Sequence, residues 1–144
     1  MFKLTATQEK VADHTCEVLL YAGPCKAFEA DRARLEARYP EITTFDTVVK
    51  SANLKPGGVA WLTHGDETNR RHLVFLLVRE GADSPADYFA MRDCFKNVKA
   101  EASSRRVKSF ALIMPDDLHA NAVETAAEIW LNIDPEGSVT VYYP

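Results

Sequence analysis

Cysteine is scarce in this chain of 144 residues, and the three that occur, Cys16, Cys25 and Cys94, are odd in number and widely spaced. They make no disulfide framework of the kind that staples small secreted domains, and they fit reduced thiols inside a cell. No C-x-x-C or H-x-x-x-H pair occurs, so a zinc site drawn from His14, Cys16 and Cys25 lacks a chelating unit and a fourth ligand. Long apolar runs are missing as well. The stretch from Leu73 to Val78 is among the longest, too short to span a bilayer. Met1-Phe2-Lys3-Leu4-Thr5 reads as the start of a strand, and no secretory signal is expected there. A net charge of −4 gives no overall attraction to nucleic acid. Repeats, low-complexity tracts and linkers are absent too. The expectation is one soluble, intracellular domain over residues 1–144, cytoplasmic or nuclear, with no membrane contact.

The most telling absence is glycine at one turn. Val107-Lys108-Ser109-Phe110-Ala111-Leu112-Ile113-Met114-Pro115 reads as a buried strand that runs almost directly into a helix near His119. At such a turn, glycines let a backbone approach a phosphate and aim helix N–H groups at it. Here the turn is Asp116-Asp117-Leu118, two carboxylates and no glycine. An anion would be repelled where it is ordinarily held.

What is present is ample. An apolar content of 47% with 26% charged residues is enough to bury a real core without staples. Cys16-Glu17-Val18-Leu19-Leu20-Tyr21 is a compact apolar run stopped at Gly23-Pro24, which predicts a buried strand and a turn. From Ala27 to Tyr39 the spacing is helical, with Phe28, Leu35 and Tyr39 inward and Glu29/Arg32 and Asp31/Arg34 as exposed pairs. Pro40 ends that helix, and Thr43 or Thr44 caps a short second one bearing Phe45, Val48, Val49 and Ala52. After the turn Lys55-Pro56-Gly57-Gly58, Val59 to Thr63 and His72 to Arg79 read as two strands joined by a polar loop.

The clearest helix follows. Tyr88, Met91, Phe95, Val98 and Ala102 share one face, and Ser84 or Asp83 serves as its cap with Pro85 near the first turn. A last helix turns Val123, Ala126, Ala127, Trp130 and Leu131 inward, and Ser138 to Tyr143 closes the chain as a strand. Strands and helices alternate from end to end. The apolar runs at 18–21, 73–78 and 110–113 suit central strands buried on both faces. The fold class predicted is α/β, a three-layer α/β/α sandwich around a mixed central sheet.

Leu35-Glu36-Ala37-Arg38-Tyr39-Pro40 through Lys55-Pro56-Gly57-Gly58-Val59-Ala60, then Leu73 to Val78, resembles the macro domain family. The likeness is to the branch containing terminal ADP-ribose protein glycohydrolases, with its helix, "K-x-G-x-V" turn and paired strands. Tyr88 through Met114-Pro115, Ala126-Glu128-Ile129 and Val139-Thr140-Val141-Tyr142 extend it over nearly the whole chain. The resemblance implies a macro-domain-like fold and a site for ADP-ribose between two glycine-bearing loops. The first loop corresponds to Ala22 through Asp31, which keeps Gly23 but lacks the small "G-x-G" run. The second corresponds to Asp116-Asp117-Leu118-His119, shorter and without its glycines. The aspartate that contacts adenine falls near Thr7-Gln8, and the lysine nucleophile of the glycohydrolase branch falls near Arg79. An arginine stays protonated and cannot form that covalent intermediate.

Candidate pocket residues are therefore Gly23, Cys25, Asp116, Asp117 and His119, with no catalytic residue, cofactor or metal assigned. Asp116 and Asp117 admit an acid/base reading with His119, but capping of the following helix explains them more simply. Cys25, beside a Gly-Pro turn and Lys26, has no identifiable base to activate it. Cys16 and Cys94 suit small core positions.

Arg92, Lys96, Lys99, Arg105, Arg106 and Lys108 form a basic stripe. From 92 to 108 six basic residues stand against two acidic ones, a net of +4, which leaves −8 on the rest of the chain. The stripe suits RNA or an acidic partner, although no exposed aromatics are interleaved with it in the sequence. The reading is a non-catalytic, pseudoenzyme-like module that binds a protein partner, as some viral macro-like domains engage another macromolecule. ADP-ribose binding and RNA binding are its alternatives.

Overall fold

The computed structural model of the chain describes residues 1–23, 26–81 and 84–144, with backbone alone at Lys26, Ala27 and Glu29. In chain order the strands are β1 (Lys3–Thr7), β2 (Val18–Tyr21), β3 (Val59–His64), β4 (Arg71–Leu76), β5 (Ser109–Ile113) and β6 (Ser138–Tyr142). The helices are α1 (Arg32–Arg38), α2 (Phe45–Ser51), α3 (Tyr88–Arg105) and α4 (Ala120–Trp130). They build one sheet in the order β1-β6-β5-β2-β4-β3. Only β3 and β4 pair antiparallel, with Trp61 opposite Val74, and the other four pairings are parallel. The sheet is mixed, as the alternation of elements predicts.

β2 is the centre of the sheet, between β4 and β5. Val18, Leu19 and Leu20 are fully buried, and the period-2 alternation sends them to opposite faces. Val18, Leu20 and Ala22 join Val74, Leu76, Phe110 and Leu112 under α3 and α4. Leu19 and Tyr21 join Leu73, Phe75, Ala111 and Ile113 under Leu35 of α1 and Phe45 of α2. Three layers follow from one strand that is apolar on both sides.

The inward face of α3 is Met91, Cys94, Phe95, Val98 and Ala102, each fully buried, while Tyr88 is half-buried at its start. Its docking is fixed through the turn before β3. Gly57 sits at φ +97, in the left-handed region that favours glycine, and its amide donates to the Leu77 carbonyl at 2.8 Å. Asn97 Nδ2 donates to the Gly57 carbonyl at 2.8 Å, and Cys94 Sγ reaches the Gly58 carbonyl at 3.5 Å. Burial pushes the Cys94 thiol up to about 12, which makes it an inert core residue.

Several local expectations give way to nearer partners. Asp87, not Ser84, caps α3, accepting from the Phe89 amide at 3.1 Å, because the helix begins at Tyr88, beyond Pro85; Asp83 lies outside the described residues. Thr44 stands at the N-cap of α2, yet its hydroxyl donates back to the Glu41 carbonyl. The predicted helix from Ala27 begins as a 3₁₀ segment, Lys26–Asp31, and turns α-helical at Arg32. Arg32 pairs with Glu36 at 2.8 Å, and Arg34 reaches out to Asp13. The expected Glu29/Arg32 pairing involves a side chain outside the described residues, and Asp31 acts on Arg34 as a lesser neighbouring charge than Asp13.

A buried polar pair sits at the end of the sheet where β2 begins. His14 Nδ1 accepts from the Cys16 amide at 3.1 Å, so the ring proton is on Nε2, which donates to Tyr39 Oη at 2.9 Å. Both rings are almost completely buried. Burial, with Arg38 as a lesser cause, lowers the His14 pKa to about 4. Arg38 closes the pocket by donating to the His14 carbonyl at 2.6 Å. His14, considered in the sequence as a zinc candidate, is thus spent on fastening α1 to the approach to β2.

Phe95 is fully buried, so Phe95→Ala should cost about 3–5 kcal/mol, read as a lower urea midpoint with an unchanged slope. His14 makes a second prediction. Its folded pKa lies below that of the unfolded chain, so its contribution is present above about pH 6.5 and is lost as pH falls toward 4. Urea unfolding should show stability dropping by roughly 2 kcal/mol between pH 7 and pH 5 from this group. His14→Gln should flatten that limb; an unchanged pH profile would assign it elsewhere.

Candidate functional site

β2, β4 and β5 are parallel, so their C-terminal ends lie together at one edge of the sheet. The chain leaves β2 for the α1 and α2 layer, but leaves β4 and β5 for the α3 and α4 layer. Where neighbouring strands send their connections to opposite faces, a crevice opens at the strand ends. That crevice is the candidate site.

Three segments rim it. After β2 come Ala22 and Gly23, the latter at φ +104, a conformation open to glycine but strained for other residues. After β4 comes Arg79, and after β5 the turn Asp116-Asp117-Leu118. A cavity of about 160 Å³ lies on the β2 and β4 side, lined by Ala22, Gly23, Phe45, Val49, Leu77 and Arg79. The Phe45 ring is 3.5 Å from where a side chain on Gly23 would start, so the aromatic wall comes right up to the loop.

Arg79 spans the crevice. Its guanidinium Nη1 lies 3.6 Å from Asp117 Oδ2 and 3.3 Å from the Ser84 carbonyl. Its Nε is buried without a hydrogen-bond partner. Asp117 is 56% exposed on its side chain, and its backbone is left-handed at φ +66, an unusual state for a residue other than glycine. The expectation that the aspartates cap α4 is corrected here. His119 holds the N-cap position, with no side-chain cap bond, and Asp117 is turned toward β4 instead. The left-handed turn at Asp117 explains the diversion, since it redirects the chain before the helix begins.

The predicted pocket residues are only partly gathered. Gly23 and the aspartate turn share the same edge of the sheet, Asp116 half-buried and Asp117 exposed. His119 is exposed at the start of α4 and makes no side-chain cap bond there. Cys25 lies outside the described residues. No cluster of three or more potential metal ligands occurs among the described residues.

The basic stripe separates into distinct settings. Lys96 and Lys99 of α3 place their ammonium groups 4.8 and 5.8 Å from the Trp130 ring centroid. Arg92 lies 5.1 Å over Phe89, and Arg105 lies 4.8 Å over Trp61 on β3. Lys108 sits 3.7 Å from both Asp134 and Glu136. Arg106 forms the left-handed C-cap of α3. No exposed aromatic is interleaved within 92–108, where Phe95 is fully buried, yet the stripe has ring neighbours from outside it. Trp61 and Trp130 come from other elements, and Phe89 lies one turn before Arg92, so only the fold brings ring and cation together.

Arg79 enters the site through a role sequence reasoning did not foresee. Its alignment with a family lysine was legible, but its bridge to Asp117 was not. Those residues are 38 positions apart in the chain and meet only because β4 and β5 both flank β2.

No helix among the described residues is long and apolar enough to cross a membrane. No family model matches this sequence, and no curated protein matches it. Solved structures do. The chain is similar to the macrodomain of Thermus aquaticus DarG, at 16% identity and a TM-score of 0.78, over the full length of both chains. It is similar to the macrodomain of Mycobacterium tuberculosis DarG, at 14% identity and a TM-score of 0.78, over 98% of this chain and 97% of that one. Thermosipho africanus DarTG, solved in complex with ADP-ribose, matches at 13% identity and a TM-score of 0.69, over 99% of this chain and 42% of the other. Sequence identity this low carries the fold and nothing finer, and on that evidence the chain has the macrodomain fold.

Proposed function

We propose that this chain is a non-catalytic binding module on a macrodomain scaffold, engaging another macromolecule instead of turning over ADP-ribose. The observation that carries the reading is the Arg79–Asp117 pair across the strand-end crevice. Arg79 stands where the resemblance calls for a lysine nucleophile. A guanidinium does not deprotonate in proteins, so no amine is on hand to attack a glycosidic carbon. Asp116 and Asp117 bring carboxylates to the turn that would face a diphosphate, and α4 starts at His119 without a glycine cradle. The cavity is small as well, about 160 Å³ against the roughly 300–1,000 Å³ usual for small-molecule sites.

A second reading has its own support. Gly23 keeps the left-handed backbone beside an aromatic wall, and a neighbour of the same fold was solved with ADP-ribose bound. In that reading the crevice opens by releasing Arg79 from Asp117 and takes ADP-ribose or a related nucleotide. The cost of release is small, since a partly exposed ion pair is worth no more than about 1 kcal/mol.

The first reading expects no release of ADP-ribose when the protein is incubated with mono-ADP-ribosylated protein or DNA and the products are separated chromatographically. Turnover that disappears on Asp117→Ala or His119→Ala would overturn it. Asp117→Asn tests the bridge by itself. It should shift unfolding stability by no more than about 1 kcal/mol, because the pair is half exposed at one end. A loss of several kcal/mol in thermal or urea unfolding would make the bridge a structural necessity and remove it from the functional argument.

A further inference from the structure

On the layer remote from the α1 side, α3 presents Phe89, Arg92, Lys96 and Lys99 at steps of three, four and three residues, one outward strip about 15 Å long. Trp130, the last residue of α4, lies against it, with two ammonium groups at its ring. Neither lysine pairs with a carboxylate among the described residues, and Arg92 has only Asp93, at 3.5 Å. Phe89 is 60% exposed and Ile129 is 59% exposed. Apart from Met1, they are the exposed large apolar side chains among the described residues. Two lysines without a carboxylate partner, the exposed ring of Phe89 and the half-buried ring of Trp130 thus lie along α3.

We infer that this α3–α4 face is a contact surface for single-stranded nucleic acid. Single strands are held by cations that follow the phosphates and by aromatic rings on which bases stack, and both are present side by side here. Phe89 is exposed for a base to stack on, and the half-buried Trp130 holds the ammonium groups of Lys96 and Lys99 where they can meet the phosphates. Charge distribution orients the strand. α3 carries Arg92, Lys96, Lys99 and Arg105 against Asp93 and Glu101, a net of +2 on a chain of net −4, so on balance a polyanion is favoured along this helix over the rest of the surface. A duplex fits less well, because α4 packs beside α3, with Trp130 against Lys96, and keeps it from entering a groove as a free ridge. The contacts reach phosphates and base faces, so no sequence preference and no discrimination between ribose and deoxyribose follow. The surface lies on a different part of the fold from the crevice and stands whether or not the crevice accepts ADP-ribose.

The test is fluorescence anisotropy with a labelled oligouridylate of about 16 nucleotides, long enough to cover an ordinary single-strand site. Binding at about 50 mM salt should weaken with a log–log slope near −2, the value for roughly three phosphate contacts on a single strand. Lys96→Glu with Lys99→Glu should cost at least tenfold in affinity and flatten the slope toward about −0.7. Tryptophan fluorescence should be quenched on binding to the wild type and not in the double variant. Circular dichroism on that variant establishes that it is folded, and Lys96→Gln with Lys99→Gln offers a gentler version should it fail. Glu67→Gln, in the exposed loop between β3 and β4, should leave the affinity unchanged. Absence of binding at low salt, equal binding of duplex RNA, or displacement by charge-matched polyglutamate as readily as by oligouridylate would each overturn the proposal, the last by making the face a general site for acidic chains.

Discussion

The double burial of β2 is the constraint on which the rest depends. A strand with Val18, Leu19 and Leu20 all fully buried cannot face water on either side, so both faces must be covered. The chain meets that need by sending α1 and α2 to one face and α3 and α4 to the other. The change of face at the end of β2 is also what opens the crevice, so the packing problem and the candidate site have one origin. Edge strands carry less of the load. β1, at one edge, has no fully buried residue, and β3, at the other, has none either.

At the crevice, energetics and chemistry separate. The Arg79–Asp117 pair is too exposed to contribute more than about 1 kcal/mol to stability, so its weight lies in what it does to a ligand. A cation that is engaged and carboxylates at the turn change the electrostatics of a place where this fold can hold an anion. The opposite end of the sheet shows the reverse. There His14 and Tyr39 are buried and tightly partnered, and contribute to stability. Polar residues are spent on structure at one end and left adjustable at the other.

Much of the fold was legible because its signals are local. The spacing of Met91, Phe95, Val98 and Ala102 gives α3 its inward face, and the apolar runs at β2, β4 and β5 mark central strands. Gly57 and Gly58 mark a turn that occurs as predicted. What failed was long-range pairing. Asp117 reads as a cap until β4 and β5 are placed around β2, and Trp130, packed against the core as its spacing predicts, gains Lys96 and Lys99 at its ring only once α3 and α4 are side by side. His14 and Tyr39 are 25 residues apart, and no spacing rule joins them. Arg34 shows the same limit on a small scale, bonding to Asp13, 21 residues away in the chain, where no spacing rule points.

The measurement that bears most directly on the crevice is isothermal titration of the wild-type chain with ADP-ribose at millimolar concentration. A crevice bridged by Arg79 and Asp117 should give no heat beyond dilution. Saturable heat with a micromolar dissociation constant, lost when Gly23 is replaced by valine while the fold is retained, would contradict that expectation and restore the crevice as a nucleotide site.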